Sequence, residues 1–454
     1  MTLRPRCVVL GLDGVPLSLA RTLAPELPNL GSLALSPKAS ELTSELPELS
    51  PVNWTSFFTA AGPGEHGVYG FSRLDPASYE VAVADFTQVA GPTIFDRLGE
   101  HGLISKVINL PNTYPARPIR GMLVSGFVAQ DLARAVYPPF LLGPLRAAGY
   151  ILEADTARTK DDPDLLLAEL NRVLDSRERA LDLFWPDLAW DLFVFVLTET
   201  DRLFHFLYPA VEDPGHALHG ACLGFLRRWD RVIGRVLERY AALPEPKRLL
   251  VLADHGFTTL KTEVDLNSWL RERGLLDLAP PLPGEDPRSE AAEWQASRIT
   301  ARTRAFALDP SRIYVHDARF SRGPLSRPEA ARLGQDLRQA LLSLTHEGVP
   351  VMEAVHFGPE LYHGAQAWRA PDLVCLARPG FDLKAKFNRD QVFGRFGRLG
   401  AHTARGAIFY DSQGAKPGLV REVGREVLDW FGLASAQNEE RPKGAPVLDL
   451  GGES

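Results

Sequence analysis

Four apolar runs stop abruptly at polar residues along the chain: CVVLGLD (7–13), ISKVINLP (104–111), DLFVFVLTETD (191–201) and KRLLVLADHG (247–256). A strand with one wet face alternates apolar and polar residues, so continuous runs of this length predict strands buried on both faces. Between them, DPDLLLAELNRVLDSRERALDLFW (162–185) and HALHGACLGFLRRWDRVIGRVLERYAAL (216–243) repeat apolar residues at helical spacing and predict amphipathic helices. Strands alternating with helices predict an α/β fold with a mainly parallel central sheet and helices on both faces.

The texture changes after His255. APPLPGEDPRS (279–289) reads as a proline-rich loop, followed by a strand at SRIYVHD (311–317), a helix at RPEAARLGQDLRQALLSL (327–344) and a strand at PDLVCLA (371–377). Residues 266–394 are therefore expected to form a cap-like insertion, part sheet extension and part cap, in a core built from 1–265 and 395–434. The polar, Gly- and Pro-containing residues 435–454 are expected to be a surface tail.

Composition narrows the function. The chain has 454 residues, 45% hydrophobic and 24% charged, as in ordinary globular proteins. A net charge of −7 offers no footprint for a phosphate backbone, so no nucleic-acid polymer is expected as partner. Cys7, Cys222 and Cys375 are too few and too scattered for a disulfide framework or a zinc cluster. The apolar run near the N-terminus is stopped by Asp13, which makes it too short for a signal peptide and predicts a first strand. No stretch approaches the roughly 18 apolar residues of a membrane span, so a cytoplasmic location is expected.

Three of the four runs carry an aspartate at their carboxyl end: Asp13, Asp201 and Asp254. Ligands of open α/β sheets bind beyond the carboxyl ends of strands, so the three are candidates for one site whose repulsion needs a counter-charge. Asp201 and His205, four residues apart, share a helix face; Asp254 and His255 are adjacent; His402 lies in the glycine-punctuated GRLGAHTARGAIFY (397–410). Imidazole with carboxylate suits zinc, with manganese or iron as alternatives. Taken singly, each aspartate could be a turn former or helix cap, and His66, His216, His219 and His356 read as structural or exposed. In LSPVNWTSFFTAAGPGEHG (49–67), Ser50 could cap a helix starting at Pro51. It could equally be a nucleophile at a helix N-terminus, where phosphate is favoured.

The ordered set resembles the alkaline phosphatase superfamily, specifically its type I phosphodiesterase and nucleotide pyrophosphatase branch and bacterial phosphohydrolase and phosphomutase relatives. The resemblance runs from GLDG (11–14) through NLPNTYPARPIRGMLVSGF (109–127) and TDRLFHF (200–206) to GAHTARGAIF (400–409). Pro63-Gly64-Glu65-His66-Gly67 sets the register that puts Ser50 on the nucleophile. It implies an alkaline-phosphatase-like fold and two divalent metal ions, zinc first and manganese second. Asp201, His205 and His402 would hold one; Asp13, Asp254 and His255 with Ser50 would hold the other. Asn53 matches a position whose amide contacts a phosphate oxygen, and His66 belongs to local structure. The implied activity is hydrolysis of a small-molecule phosphodiester through a phospho-serine-type intermediate on Ser50. Monoester hydrolysis, phosphonate hydrolysis and phosphomutase chemistry use the same site and stay open; a non-catalytic metal-binding scaffold is the rival of a different class. The residues after Ser50 lack the C/S-x-P-x-R pattern of sulfatases. Specificity is expected from 68–130 and 266–394, with Tyr69, Phe71, Asn112, Tyr114 and Arg117 as candidate pocket residues and Arg405 as a candidate phosphate contact.

Overall fold

In the computed structural model, which describes residues 4–433 apart from 188, 282–283 and 287–288, the apolar runs become the middle of one sheet. The tail expected at 435–454 lies outside the described residues. In chain order the sheet strands are β1 (Arg6–Leu12), β2 (Ala39–Leu42), β3 (Ser105–Leu110), β4 (Gly121–Ser125), β5 (Val136–Tyr137), β6 (Leu192–Leu197), β7 (Lys247–Leu252) and β8 (Ala407–Asp411). Their spatial order is β2-β8-β7-β1-β6-β3-β4-β5. The five central strands, β7 to β4, are parallel, and the outer strands close each side antiparallel.

Every residue of β6 is fully buried, whichever way its side chain points. That requires cover on both faces, which explains why the sequence does not alternate. Helices α1 (Ser50–Thr59) and α5 (Val420–Trp430) pack together as one group. Helices α2 (Pro163–Phe184), α3 (Glu199–Glu212) and α4 (His219–Ala241) form another. Gly11 shows how tightly α1 sits, because a Cβ there would lie 2.6 Å from Trp54 Cη2. Overpacking of that kind costs roughly 1–3 kcal/mol.

A second apolar cluster, including Trp269, Phe306, Ile313, Leu337 and Cys375, is built mainly from residues after β7, with Tyr79 joining from before it. It surrounds a four-stranded antiparallel sheet of order Ala305–Leu308, Arg312–Val315, Leu373–Ala377 and Met352–Phe357, against which helix Arg327–Leu342 packs. A smaller three-stranded sheet contains Phe381–Lys384, which touches both Leu373–Ala377 and the short strand Gly400–Thr403. All three cysteines are buried and unpaired. Among the described residues no helix is long and apolar enough to cross a membrane.

Two local expectations are corrected. The run expected to extend as a strand to Asp201 ends at Leu197, and Asp201 lies in the first turn of α3, with Glu199 ahead of it. Acidic residues are stabilised at that end of a helix, so a short strand followed by an acidic first turn suits the same sequence. Ser50 is the first residue of α1 rather than its cap: Leu49 holds the cap position in extended conformation, and no side chain caps the helix.

Candidate active site

β7, β1 and β6 are neighbours in the sheet, so their carboxyl ends deliver Asp254, Asp13 and Asp201 to one place. Backbone and side-chain groups fix the approach. The Asp13 N–H donates to Leu197 O at 3.0 Å, and Thr200 Oγ1 donates to Asp13 O at 2.6 Å. Ser44 Oγ donates to Asp254 O at 2.8 Å, and the Gly14 N–H donates to Asp254 Oδ1 at 3.3 Å. Gly14 must be glycine: its φ is +72°, and a Cβ would stand 2.9 Å from the Phe257 ring. Trp54 Nε1 donates to Asp13 Oδ2 at 3.3 Å, while Asp13 Oδ1 and Asp254 Oδ2 are buried with no hydrogen-bond partner.

The histidines come from three directions. His255 follows β7 directly, and His205 lies one turn beyond Asp201 in α3. His402 arrives on the short strand Gly400–Thr403, which pairs antiparallel with Gly256–Thr259 and sets Phe257 opposite His402. His402 Nδ1 donates to Glu48 O at 2.9 Å and His255 Nδ1 to Gly256 O at 3.1 Å. Those bonds leave each Nε2 with a lone pair directed inward, the tautomer a metal-binding imidazole uses. His402 Nε2 stands 3.2 Å from Asp201 Oδ1 and 3.1 Å from His205 Nε2. His255 Nε2 is 3.4 Å from Asp254 and 3.6 Å from Asp13. Two overlapping trios, Asp201-His255-His402 and Asp13-Asp254-His255, bring their ligand atoms within 4.8 Å of one another. His205 Nε2, 3.4 Å from Asp201 Oδ1, adds a further donor to the first. Ser50 Oγ lies 3.3 Å from His255 Nε2.

The electrostatics mark a site built for positive charge. Burial pushes Asp13 well above the usual carboxylate range, with Asp254 and Asp201 adding repulsion. Burial also pushes Asp254 up to about 6. Burial acts on Asp201 in the same sense, but His205 and His402, when protonated, and the permanent charge of Arg202 outweigh it and hold the carboxyl well below its ordinary value. Burial lowers His205, His255 and His402, which favours neutral, lone-pair-bearing rings. Three carboxylates out of water without cations between them are unfavourable, which is the environment divalent ions stabilise.

An ion-pair chain that the sequence did not reveal orients Asp201. Arg202 Nη1 donates to Asp201 Oδ2, leaving Oδ1 for the histidines. Its Nε and Nη2 in turn meet Glu153 at 3.2 and 3.1 Å, and its guanidinium lies over the Phe127 ring. Glu153→Gln keeps the shape and removes the charge holding Arg202, so divalent-metal affinity is expected to fall about 10–100-fold. Titration calorimetry with zinc checks this, and circular dichroism should show the fold retained.

Ser50, Asp201, His205 and His402 border a cavity of about 580 Å³. Phe71, Val81, Phe127 and Phe381 give it an apolar wall, and Arg202, Lys384, Lys386 and Arg398 also line it. Lys384 pairs with Asp382 at 2.7 Å, Lys386 with Asp309 and Glu293 at 3.0 Å, and Arg202 with Glu153 and Asp201. Arg398 is the exception: among the described residues it has no carboxylate partner, and its Nη1 lies 3.4 Å from His205 Nδ1. Arg202 and Arg398 sit inside the TDRLFHF and GRLGAHTARGAIFY segments, which do not single them out, and Lys384 and Lys386 lie where no motif or periodicity marks them.

Other expected residues are placed elsewhere. Asn53 is fully buried; its Oδ1 accepts from the Glu45 N–H at 2.7 Å and its Nδ2 donates to Glu45 O and Leu49 O. It thereby clamps the loop that leads into Ser50. His66, also fully buried, accepts from the Val68 N–H and meets Ser56 Oγ at 3.0 Å. Of the candidate pocket residues, Phe71 lines the cavity and Asn112 donates to Thr55 Oγ1. Arg117 pairs with Asp96, the Tyr114 ring lies beneath Arg134, and Tyr69 borders a different cavity. Arg405 pairs with Glu353.

The sequence profile described as type I phosphodiesterase / nucleotide pyrophosphatase matches residues 7–405. The chain belongs to this family. Membership places it among phosphoester hydrolases of the alkaline phosphatase superfamily, and the match spans every residue of the Asp, His and Ser cluster. Among solved structures, two of phosphonoacetate hydrolase from Sinorhizobium meliloti 1021 share the fold. The complex with phosphonoformate is 16% identical with a TM-score of 0.60; the complex with phosphonoacetate is 15% identical with a TM-score of 0.59. Each covers 95% of this chain and 96% of that one. No curated protein matches the sequence significantly. For a type I phosphodiesterase family member, the fold and the clustered carboxylates and imidazoles agree with the profile match.

Proposed function

We propose that the chain is a binuclear-metal phosphoric ester hydrolase, acting on small phosphodiesters through a covalent intermediate on Ser50. The observation that carries this reading is Ser50 Oγ, 3.3 Å from His255 Nε2 and bordering the cavity beside both carboxylate–imidazole trios. The donor set fits divalent cations, since Asp13 Oδ1 and Asp254 Oδ2 are buried without partners. Asp201, His205 and His402 would hold one cation, and Asp13, Asp254 and His255 with Ser50 the other; zinc suits these donors best and manganese next. Bound there, the cations supply a lowered hydroxyl pKa and charge stabilisation on phosphoryl oxygens.

The chain's own residues supply the rest. α1 begins at Ser50, so its unpaired N–H groups and dipole stabilise negative charge on the transferred phosphoryl group. Ser50 Oγ gives up its proton and bonds to phosphorus as the P–O bond to the leaving group breaks; the departing alkoxide takes up a proton and leaves as the alcohol. Water then cleaves the phospho-serine ester, returning the hydroxyl to Ser50 and releasing the phosphate monoester. Asn53 positions the nucleophile by clamping residues 45–49 rather than by touching phosphate. Arg398 meets an anionic oxygen of the substrate, and the wall of Phe71, Phe127 and Phe381 receives an apolar leaving group.

Turnover of bis-p-nitrophenyl phosphate above that of p-nitrophenyl phosphate, with zinc or manganese and abolished by chelation, is the expected result. Absence of turnover of both, and of nucleotide diesters, with either metal would overturn the hydrolase reading and favour a binding scaffold. Phosphonate hydrolysis is the second reading. It is favoured by the fold shared with phosphonoacetate hydrolase and by Arg398, which could equally hold a carboxylate. The apolar wall argues for the diester.

A further inference from the structure

A second cavity, of about 530 Å³, lies behind the wall of the first. Ser72 borders both; next to it in the same wall, Ser311 faces the first and Arg312 the second. Three buried arginines are found among the described residues, and two have carboxylates: Arg177 pairs with Glu199 at 3.3 Å, and Arg248 with Asp411 and Glu426 at 2.8 and 2.7 Å. Arg312, 1% exposed, has none. Its Nη1 donates to Ser72 O at 2.7 Å and its Nη2 to Asp309 O at 2.6 Å and Ser72 Oγ at 3.2 Å, while its Nε is buried without a partner. A guanidinium withdrawn from water and given only neutral acceptors is unfavourable unless an anion completes it.

The surroundings supply the remainder of a site. Gly70 makes room for Arg312, since a Cβ there would lie 2.6 Å from its Cζ. Arg73 and Arg369 also line the cavity, and among the described residues neither makes an ion pair with a carboxylate. Arg319 is neutralised by Asp317 and Asp372. At the rim stands Trp368, 73% exposed, with the Arg369 guanidinium 5.9 Å from its ring, and Tyr69, Tyr314 and Phe320 lie deeper. An indole of that exposure beside unpaired arginines is a surface that a ring carrying negative charge would cover.

We propose that this cavity is a second ligand site, separate from the Ser50 cavity, for a small molecule that joins an anionic group to an aromatic ring. The anion completes Arg312 with help from Arg369 and Arg73, and the ring stacks against Trp368. The simplest such ligand is an aryl phosphate. The proposal does not depend on hydrolysis at Ser50.

Phenyl phosphate, titrated into the metal-loaded full-length Ser50→Ala protein by calorimetry, tests it. A binding event is expected that Arg73→Ala/Arg369→Ala weakens at least tenfold and Arg398→Ala leaves in place. Phenol and inorganic phosphate should each bind that site at least tenfold more weakly. In parallel, phenyl phosphate should change tryptophan emission more in the Ser50→Ala protein than in its Trp368→Phe derivative, where Trp294 is left to report on the Ser50 cavity; an equal change in both would overturn stacking on Trp368. Isotherms unchanged by the double substitution, or lost entirely with Arg398→Ala, would place all binding in the Ser50 cavity and overturn the second site. If the Ser50 chemistry is wrong but this inference is right, the Arg369-dependent event persists in a protein that hydrolyses nothing.

Discussion

Replacing Ser50 with alanine is expected to lower turnover about 10⁴-fold or more while leaving the chain folded. The alternative, that Ser50 serves as a helix cap, makes the opposite forecast: a loss of about 0.5–2 kcal/mol in stability with activity nearly intact. Geometry separates the two. Leu49 occupies the cap position, the helix has no side-chain cap, and the Ser50 hydroxyl reaches His255 instead. Removing the hydroxyl therefore takes nothing from the helix, and a stability change below about 1 kcal/mol is expected. Turnover of bis-p-nitrophenyl phosphate and thermal unfolding of the same preparation decide the matter. A variant that melts earlier but turns over normally would sink the nucleophile assignment.

The fold was legible because its signals are local. An unbroken apolar run such as LFVFVL in β6 has to be covered on both sides, and the helical repeats of α2 and α4 say what covers it. The clustering of Asp13, Asp254 and Asp201 follows from the same logic, since residues at the ends of parallel neighbours meet whatever their separation in sequence. The strand of the third run ends at Leu197 rather than at Asp201, because TETD starts a helix as readily as it ends a strand. What lies beyond the strand ends was not legible. Glu153 reaches Asp201 through Arg202 by a contact between a loop and a helix 49 residues apart, and nothing in composition or spacing announces it. Lys384 reaches the cavity from the second apolar unit, whose docking on the central sheet has no sequence signature. Asn53 shows the converse limit: matching a motif position said where it stands, but only the loop around Glu45 shows what its amide holds.

Replacing Asp254 with asparagine is expected to stabilise the metal-free protein and disable the metal-loaded one. Asparagine keeps the side-chain oxygen that accepts from the Gly14 N–H and removes a carboxylate whose charge burial disfavours. The direction with pH follows from the shift. Burial raises the carboxyl from its ordinary 3.8 to about 6, so the folded state holds this proton more tightly than the unfolded chain does. The stabilisation is present in full below about pH 4 and is lost as pH rises through about 6, which amounts to roughly 2–3 kcal/mol by pH 8. Asp254→Asn recovers that loss, so in chelator its urea midpoint should exceed the parent's at pH 8 and converge with it near pH 4. With zinc present the order should reverse, because the parent gains binding energy that the variant has given up. Hydrolysis by the variant should fall at least about 100-fold. A metal-free variant less stable than its parent at pH 8 would mean that the buried Asp254 charge costs the fold nothing, and the case for a cation beside it would lose its physical basis.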